Sequence, residues 1–575
     1  MVISPTVCDE QRSGMVRSTK HQLDPVETVW HMAALPDVPA PEERSLSELT
    51  DHKKEALDWI ETNRAPLNEL SETIWAAAET AWREYESAAA LASFLERAGF
   101  DVERGSAGMP TAFCATWGSS GPVLASFANY DCTPGLSQQA VTRQIPRDGT
   151  HRWAPGHTDP HNALAVGSLA GVLATKAVME RHGISGTLKF FGEPAEKLGG
   201  GQPVHALRGY YNDLDAVFAY RPWTTNTTVW DTHAASYYGC VFTFLPKPAD
   251  EWPDTAALEA YPAAPGPYIR PPGGLDAACL MHSLVKQTKE HVYPHVGGWS
   301  INEFMMLGGQ ATADAVVPKI AQIQYAWRSP TIGTQEQIYR ILARAARAAA
   351  EANHCEVAVR WLAKTRPGLP NHALARLTYN NLVLTGGPEF PAEARAFAKE
   401  ILAAEGYDQP DDPYSASSRS LVDPEEYESQ VRLSLPPWQK NITAEPYVEY
   451  THYAPTVWLF TGKPVVRETY EWLWNHWSTV ALNGFTPAIE QTWLSAGRAI
   501  TASMLDLLTE PALLAACQDE FRERTGGGVG GTAWLPPLLP DDFKPPIDLA
   551  WPEYVQTVRG SHWQIPEPET FGTTL

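Results

Sequence analysis

Cysteine is sparse and scattered. The seven residues (Cys8, Cys114, Cys132, Cys240, Cys279, Cys355 and Cys517) form no C-x-x-C pair and no cluster. That pattern excludes a zinc finger, a dithiol redox motif and a disulfide scaffold, and leaves reduced thiols as the expectation. Basic tracts are missing too. Against 67 Asp and Glu stand 44 Lys and Arg, a net charge of −23, so neither nucleic acid nor an anionic membrane surface is an expected partner. No stretch approaches the roughly 18 apolar residues of a membrane span. The first residues, Met1 to Gln22, carry charges and no apolar h-region, which does not read as a signal peptide. A cytoplasmic protein is the expectation, and the sequons at Asn226 and Asn441 carry little weight without secretion. No internal repeat or low-complexity tract stands out.

What is present is core material. Hydrophobic residues make up 44% of 575, enough for two domains or one large domain with an insertion. Residues 1–45 are Pro-rich and read as an extension. Helical spacing follows from Leu49 to Arg97 (Ala56, Leu57, Ile60; Ala88, Leu91, Phe94, Leu95). Strands are expected at Phe113–Trp117, Val123–Tyr130, Leu188–Phe191 and Ala216–Ala219, with a small-residue helix at Asn162–His182. After Trp230 the pattern changes to strand Tyr238–Phe244, a Pro-rich insertion Pro246–Pro272, helix Leu275–His291, strand Ala321–Trp327, helix Glu336–Ala352 and strand Glu356–Ala363. That β-α-β-α-β order is a small α+β unit. From Asn371 the chain returns to helices at Leu374–Leu384 and Pro391–Glu405, a long loop at Asp411–Lys440, and a helix at Glu490–Leu508. The Gly-, Pro- and Trp-rich tail from Gly526 is expected to lie over a surface.

Chemistry-bearing side chains gather just beyond expected strand ends. Asp131 closes the run Ala125–Tyr130. His157-Thr158-Asp159-Pro160-His161-Asn162 precedes the small-residue helix. Glu193-Pro194-Ala195-Glu196-Lys197 follows Leu188–Phe191. Open α/β sheets place their sites there, and Asp, His and Glu are metal-ligand or acid/base material. Each segment alone is also what ordinary loops and caps look like.

Taken together and in order, the motifs resemble the zinc aminoacylase/carboxypeptidase superfamily (peptidase family M20), and within it the p-aminobenzoyl-glutamate hydrolase branch. Asp131 to Gln138 (DCTPGLSQ) is similar to that branch's D-A-L-P-G-L-S-Q. His157 to Asn162 sits on H-x-C-G-H-N, Pro194 to Lys197 on P-A-E-E, and Arg221-Pro222 on H-P. Leu275-Asp276-Ala277, Val316-Val317-Pro318, Arg328-Ser329-Pro330 and Leu369-Pro370-Asn371 also find counterparts. The likeness runs from about Leu49 to Leu508. It implies an α/β catalytic domain, with a mixed sheet and helices on both faces, interrupted by a smaller α+β lid or dimerisation domain. The divisions are then 1–45, 46–232, 233–370 and 371–575, and a homodimer through the lid is expected.

The departures shape the functional reading. The family's five metal-ligand positions read Asp159, His161, Lys197, Arg221 and, by a looser alignment, Ser495. Lysine and arginine offer no lone pair near neutral pH, so a dinuclear centre is not expected. No cofactor, or one weakly held divalent ion on Asp159 and His161, is the expectation. Glu196 matches the family's general base. Lys197 and Arg221 stand ready to replace part of the lost positive field. Arg328 is expected to reach a substrate carboxylate, the competing reading being a surface or interface salt bridge. Asp131 and Trp223 are further candidates for substrate contact. His452, in the stretch aligned with S-W-x-x-P-T, is a second candidate acid/base, the competing reading being a buried structural histidine. Three functions stay open for a small-molecule substrate. One is an amidohydrolase cleaving a C–N bond in a carboxylate-bearing amide. Another is a metal-free cyclase, lyase or aldol-type enzyme, in which Arg221 lowers the pKa of Lys197 and opens imine chemistry. The third is a non-catalytic binding protein.

Overall fold

Apolar strands and one small-residue helix build the centre of the molecule. The computed structural model describes residues 48–564, apart from 249–250, 253–270, 290, 292, 294–297, 311–315 and 559. The expected N-terminal extension and most of the Pro-rich insertion lie outside the described residues.

The larger sheet has seven strands: β1 (Asp101–Arg104), β2 (Phe113–Gly118), β3 (Val123–Ala128), β4 (Thr187–Gly192), β5 (Ala216–Trp223), β6 (Thr227–Thr228) and β11 (Thr456–Gly462). Their order is β1-β2-β4-β3-β5-β11-β6. The run β4-β3-β5-β11 is parallel, while β1, β2 and β6 join it antiparallel. It is thus the mixed sheet expected. Parallel strands buried on both faces read as continuous apolar runs, and β3, β4 and β5 do so.

Helix His161–His182 follows β3 and is buried over eighteen of its 22 residues. It has the length and apolarity of a membrane span, yet the qualifying stretch is 89% buried inside the fold. Its small residues let it lie close to helix Thr486–Thr509. A Cβ on Gly171 would stand 2.6 Å from Ile500 Cγ2, and one on Gly167 2.8 Å from the Tyr220 ring. We expect Gly171→Val to overpack this contact and cost about 1–3 kcal/mol, read as a lowered midpoint in thermal unfolding. An unchanged midpoint would mean that the two helices can separate freely.

The second sheet has four antiparallel strands, in the order β10-β7-β9-β8. They are β7 (Ser236–Pro246), β8 (Ser300–Leu307), β9 (Ala321–Ser329) and β10 (Cys355–Lys364). Helices Gly274–Thr288 and Ile332–Ala352 accompany them, sharing a core around Phe242, Tyr325, Trp327 and Ile338. Three strands were expected here, and β8 is the addition. Helix Pro424–Leu433 also falls inside the expected 411–440 loop. It buries only Pro424 and Glu428, so its sequence lacks an apolar stripe to announce it. Among the described residues the tail forms a small hairpin, Tyr554–Thr557 with Gly560–Trp563.

Candidate active site

The carboxyl ends of β3, β4, β5 and β11 converge on one charged cluster. Two buried carboxylates shape the turn after β4. Glu84 accepts the Ala195 N–H at 2.7 Å and the Thr111 hydroxyl at 3.0 Å. Burial and the charge of Asp131 push the Glu84 carboxyl up to about 8. Asp131 accepts the Lys197 backbone N–H at 2.9 Å. Ala195, between these anchors, takes the left-handed conformation (φ 57°), uncommon for a residue with a Cβ. It delivers Glu196 and Lys197 in consecutive positions of a short 3₁₀ turn. Below, Glu193 is locked by the hydroxyls of Tyr211 and Tyr450, each at 2.6 Å, and by His205 Nδ1 at 2.8 Å.

Asp159 and His161 enter from the start of helix His161–His182, and Arg221 from β5. The Asp159 Oδ2 takes the Arg221 Nη2 and lies 3.3 Å from Lys197 Nζ. Arg221 Nη1 reaches Glu196 Oε1 at 3.3 Å and also Glu445 Oε2. Lys197 Nζ is 3.7 Å from Glu196 Oε2. His161 presents Nδ1 to Asp131 Oδ1 at 3.1 Å, and Nε2 to Glu196 Oε2 at 3.4 Å and Asp159 Oδ2 at 3.5 Å.

These contacts set the charges. Burial favours a neutral Glu196, but Arg221, Lys197 and His161 overcome it and hold the carboxyl down at about 2. Burial and Lys197 work against a charged His161, yet Asp159 and Asp131 raise it to about 9. For Lys197, burial is outweighed by Asp159 and Glu196, and the amine is held above its ordinary value, with Arg221 a lesser, opposing influence. The expected lowering of Lys197 by Arg221 is therefore reversed, because Asp159, Glu196 and Asp131 together outweigh the guanidinium. An ammonium held charged is a poor imine former.

The cluster floors a cavity of about 550 Å³ that adjoins a smaller lobe of about 260 Å³. Asp159, Lys197, Arg221, Arg328, Glu445 and Trp474 line both. Glu196 and Tyr237 face the smaller lobe, while Trp223, Trp458 and Phe460 face the larger one. Seven expected residues thus come together: Glu196, Lys197, Arg221, Asp159, His161, Arg328 and Trp223. Asp131 is fully buried behind His161 and is not part of the cavity wall. It is a positioning residue, not a substrate contact. His452 is also misplaced by the sequence reading. Its Nε2 meets the Pro367 carbonyl at 2.9 Å, burial and Arg366 hold it well below its ordinary pKa, and it lines neither lobe. Ser495 donates to the Gly386 carbonyl.

Four participants carried no motif. Glu445 comes in on a loop after Thr443, a β-branched residue at φ 50°. Trp458 and Phe460 belong to β11. Lys463 follows β11 with Nζ 3.1 Å from the Leu473 carbonyl and 4.1 Å from the Trp474 ring. Its burial, opposed by Asp159 and reinforced by Arg221 and Lys197, lowers it to about 8.

One divalent ion fits this donor set. Ligand atoms of Asp131, His161 and Glu196 lie within 4.8 Å of one another. Asp131 Oδ1, Asp159 Oδ1 and both His161 nitrogens are buried without a hydrogen-bond partner among the described residues. Asp131 thus replaces Asp159 as the nearest carboxylate to His161, since Asp159 is engaged by Arg221 and Lys197. Lys197 and Arg221 place cations on Asp159 and Glu196.

No protein-family profile matches the chain. It is 31% identical over 346 residues to a subunit of the p-aminobenzoyl-glutamate hydrolase of Escherichia coli (strain K12), covering 60% of this chain and 68% of that protein. It is 26% identical to the Xaa-Arg dipeptidase of Mus musculus, covering 54% of this chain and 66% of that one. Among solved structures, an aminobenzoyl-glutamate utilization protein from Klebsiella pneumoniae aligns at 13% identity and TM-score 0.44, over 75% of this chain and 97% of its own. A dinuclear metal-binding peptidase of Bacillus subtilis aligns at 14% and 0.41, over 77% and 99%.

Proposed function

Since the chain belongs to the M20 family of peptidases and amidohydrolases, we propose that it hydrolyses the amide C–N bond of a small substrate bearing a carboxylate. One observation carries this reading: Glu196, held ionised, faces a cavity whose wall also presents Lys197 and Arg328. Glu196 takes the proton of the attacking water. Lys197, whose side chain is 24% exposed, donates to the oxygen that becomes negative as the carbonyl turns tetrahedral. Arg221 is held in place by three carboxylates and fixes the field around that oxygen. Arg328 binds the substrate carboxylate.

Asp131, His161 and Glu196 are the residues that would hold one ion. When bound, such an ion polarises a carbonyl or makes a bound water more acidic. We propose that Lys197 and Arg221 stand in for the second. The test is release of amine from amide substrates by the purified chain, with Glu196→Gln as the control. No release from any amide tried, with ligands still bound, would leave a binding protein.

We further propose that the segment 233–370 is a lid and that two chains pair through it. β8 is an edge strand, and it exposes Phe304 and Met305 at 63% and 44%. An open apolar edge invites a partner strand. Sedimentation equilibrium is expected to give the mass of two chains, and Phe304→Lys to give one. A monomer at micromolar concentration would remove this proposal.

A further inference from the structure

A second cavity, of about 340 Å³, lies between the tail hairpin and the body of the larger domain. The connector that joins helices Arg64–Ala77 and Tyr85–Arg97 forms one wall, Arg147 and Thr150 another, and the hairpin Tyr554–Thr557 with Gly560–Trp563 closes it. It shares no lining residue with the two lobes of the candidate active site. The hairpin stands beyond Leu508, where the likeness to the M20 motifs ends.

The charged residues of the lining are Glu79, Arg83, Glu86, Arg147 and Glu553. Three of them are committed. Glu79 accepts the Glu86 N–H at 2.8 Å and both the N–H and the hydroxyl of Ser87 at 2.9 Å. Arg83 pairs with Glu553 at 3.3 Å and donates to the carbonyls of Trp82, Ile547 and Leu549. Two charges remain. Arg147 donates to the Ala76 and Pro155 carbonyls and to the Tyr554 hydroxyl, which are all neutral. Among the described residues it meets no carboxylate, and its Nε has no hydrogen-bond partner. Glu86 is exposed, and among the described residues its carboxylate meets neither a cation nor a hydrogen-bond donor, only its backbone N–H being engaged by Glu79. One further donor is free. Trp563 lines the same cavity and is 3% exposed, yet its indole N–H has no partner among the described residues. Buried donors are rarely left unpaired, so this one marks a place for an acceptor.

One uncommitted guanidinium and one uncommitted carboxylate suit a small molecule that carries both charges. A simple carboxylate would leave Glu86 unmatched, and a simple amine would leave Arg147 so. The rings of Tyr554 and Trp563, with centres 5.0 Å apart, and of Tyr85 give the cavity apolar surface beside the charges. We infer that this cavity binds a free α-amino acid with an apolar side chain, its carboxylate on Arg147 and the Trp563 N–H, its ammonium on Glu86. Such a ligand stands apart from the amidohydrolase reading and binds whether or not the chain cleaves amides. Hydrolysis of an amide whose amine half carries the carboxylate would nonetheless release one.

The test is calorimetry on the full chain with L-phenylalanine and L-leucine, and with two probes that each lack one charge. L-phenylalaninamide has no carboxylate, and 3-phenylpropanoate has no ammonium. At least one of the two amino acids is expected to bind at one site per chain. L-phenylalanine should bind at least about tenfold more tightly than either one-charge probe, the worth of one charge-assisted pair. Arg147→Gln and Glu86→Gln should each weaken amino-acid binding by a similar factor, and Trp563→Phe, which keeps the ring and removes the N–H, by less. Arg328→Gln, in the other cavity, should leave it unchanged. Glu86 is exposed and its side chain holds nothing in place, so Glu86→Gln decides the matter even if Arg147→Gln does not fold. Absence of binding by both amino acids at millimolar concentration overturns the inference, as does equal binding of L-phenylalanine and 3-phenylpropanoate. Binding lost in Arg328→Gln and kept in Glu86→Gln also overturns it, because the ligand then sits in the candidate active site. None of these readouts needs hydrolysis. A chain that binds as expected but releases no amine from amides loses the hydrolase reading only, and one that cleaves amides without binding either amino acid loses this inference only.

Discussion

Glu196→Gln lowers kcat/KM by about 10²–10⁴-fold, the usual contribution of a positioned general base, while the fold and substrate binding survive. The substitution keeps the shape of the side chain and an oxygen for Arg221, but an amide does not take a proton from water. The hold on the carboxylate works in two directions: it keeps the group ionised, and by lowering its affinity for a proton it places the expected effect toward the smaller end of that range. Lys197, Arg221 and His161 keep it ionised despite burial, so it is in the accepting form whenever substrate arrives. The variant also separates roles inside the cluster. If Glu196 acts as the base, the loss falls on kcat with KM little changed. If it only pairs with Arg221, the variant retains most of the activity, and the circular-dichroism melting temperature changes more than the rate. Retention of more than about a tenth of the activity would remove Glu196 from the chemistry, whatever the metal content of the protein.

The sequence made the frame of the site legible and left its walls obscure, for physical reasons that can be named. The turn after β4 could be read because Pro194-Ala195-Glu196-Lys197 combines a strand end with charged residues that a buried parallel sheet tolerates only at its rim. Arg221 was legible as a site residue but not as part of a strand. Its strand continues to Trp223, since a guanidinium matched by three carboxylates can be buried where an unpaired one cannot. The segment Ser300–Leu307 gave no strand signal. It is an edge strand whose exposed positions include Phe304 and Met305, so the expected alternation of apolar-in and polar-out is missing. β11 was overlooked although Val457-Trp458-Leu459-Phe460 is a buried apolar run ending before Gly462 and Pro464, a readable strand signal. With it went Trp458, Phe460 and Lys463. Glu445 had no readable signal, because it reaches Arg221 from a loop 224 residues away in the chain. His452 shows the opposite error. It lies in a stretch aligned with the family's active-site region, but one residue's identity does not say whether its side chain faces the cavity or the core. Here the core contact with Pro367 prevails.

The double variant Lys197→Glu/Arg221→His is expected to bind two zinc ions per chain where the unaltered chain binds at most one. The geometry gives the reason. Lys197 Nζ sits 3.3 Å from Asp159 Oδ2 and 3.7 Å from Glu196 Oε2, and Arg221 bridges Asp159, Glu196 and Glu445. Both cations thus lie where a metal would have to meet those carboxylates. Removing them leaves Asp159 and Glu196 underneutralised in a buried site, at a cost of several kcal/mol for each charge left unpaired. The new glutamate and histidine are themselves zinc ligands, so added metal restores the balance that the cations supplied. Two readouts do not depend on activity. Elemental analysis after zinc loading and desalting gives the stoichiometry. Thermal unfolding gives the coupling, because an ion that binds only the folded chain stabilises it by about 2.7 kcal/mol at a hundredfold excess over Kd. The double variant should melt below the unaltered chain without zinc and recover most of the difference with it. The single variant Lys197→Glu should take up less than the pair, since Arg221 still occupies Asp159. If the double variant binds no more zinc than the unaltered chain, the two cations are not what excludes a second ion. If the unaltered chain itself carries two, Lys197 and Arg221 move aside when metal arrives, and their role as permanent substitutes falls.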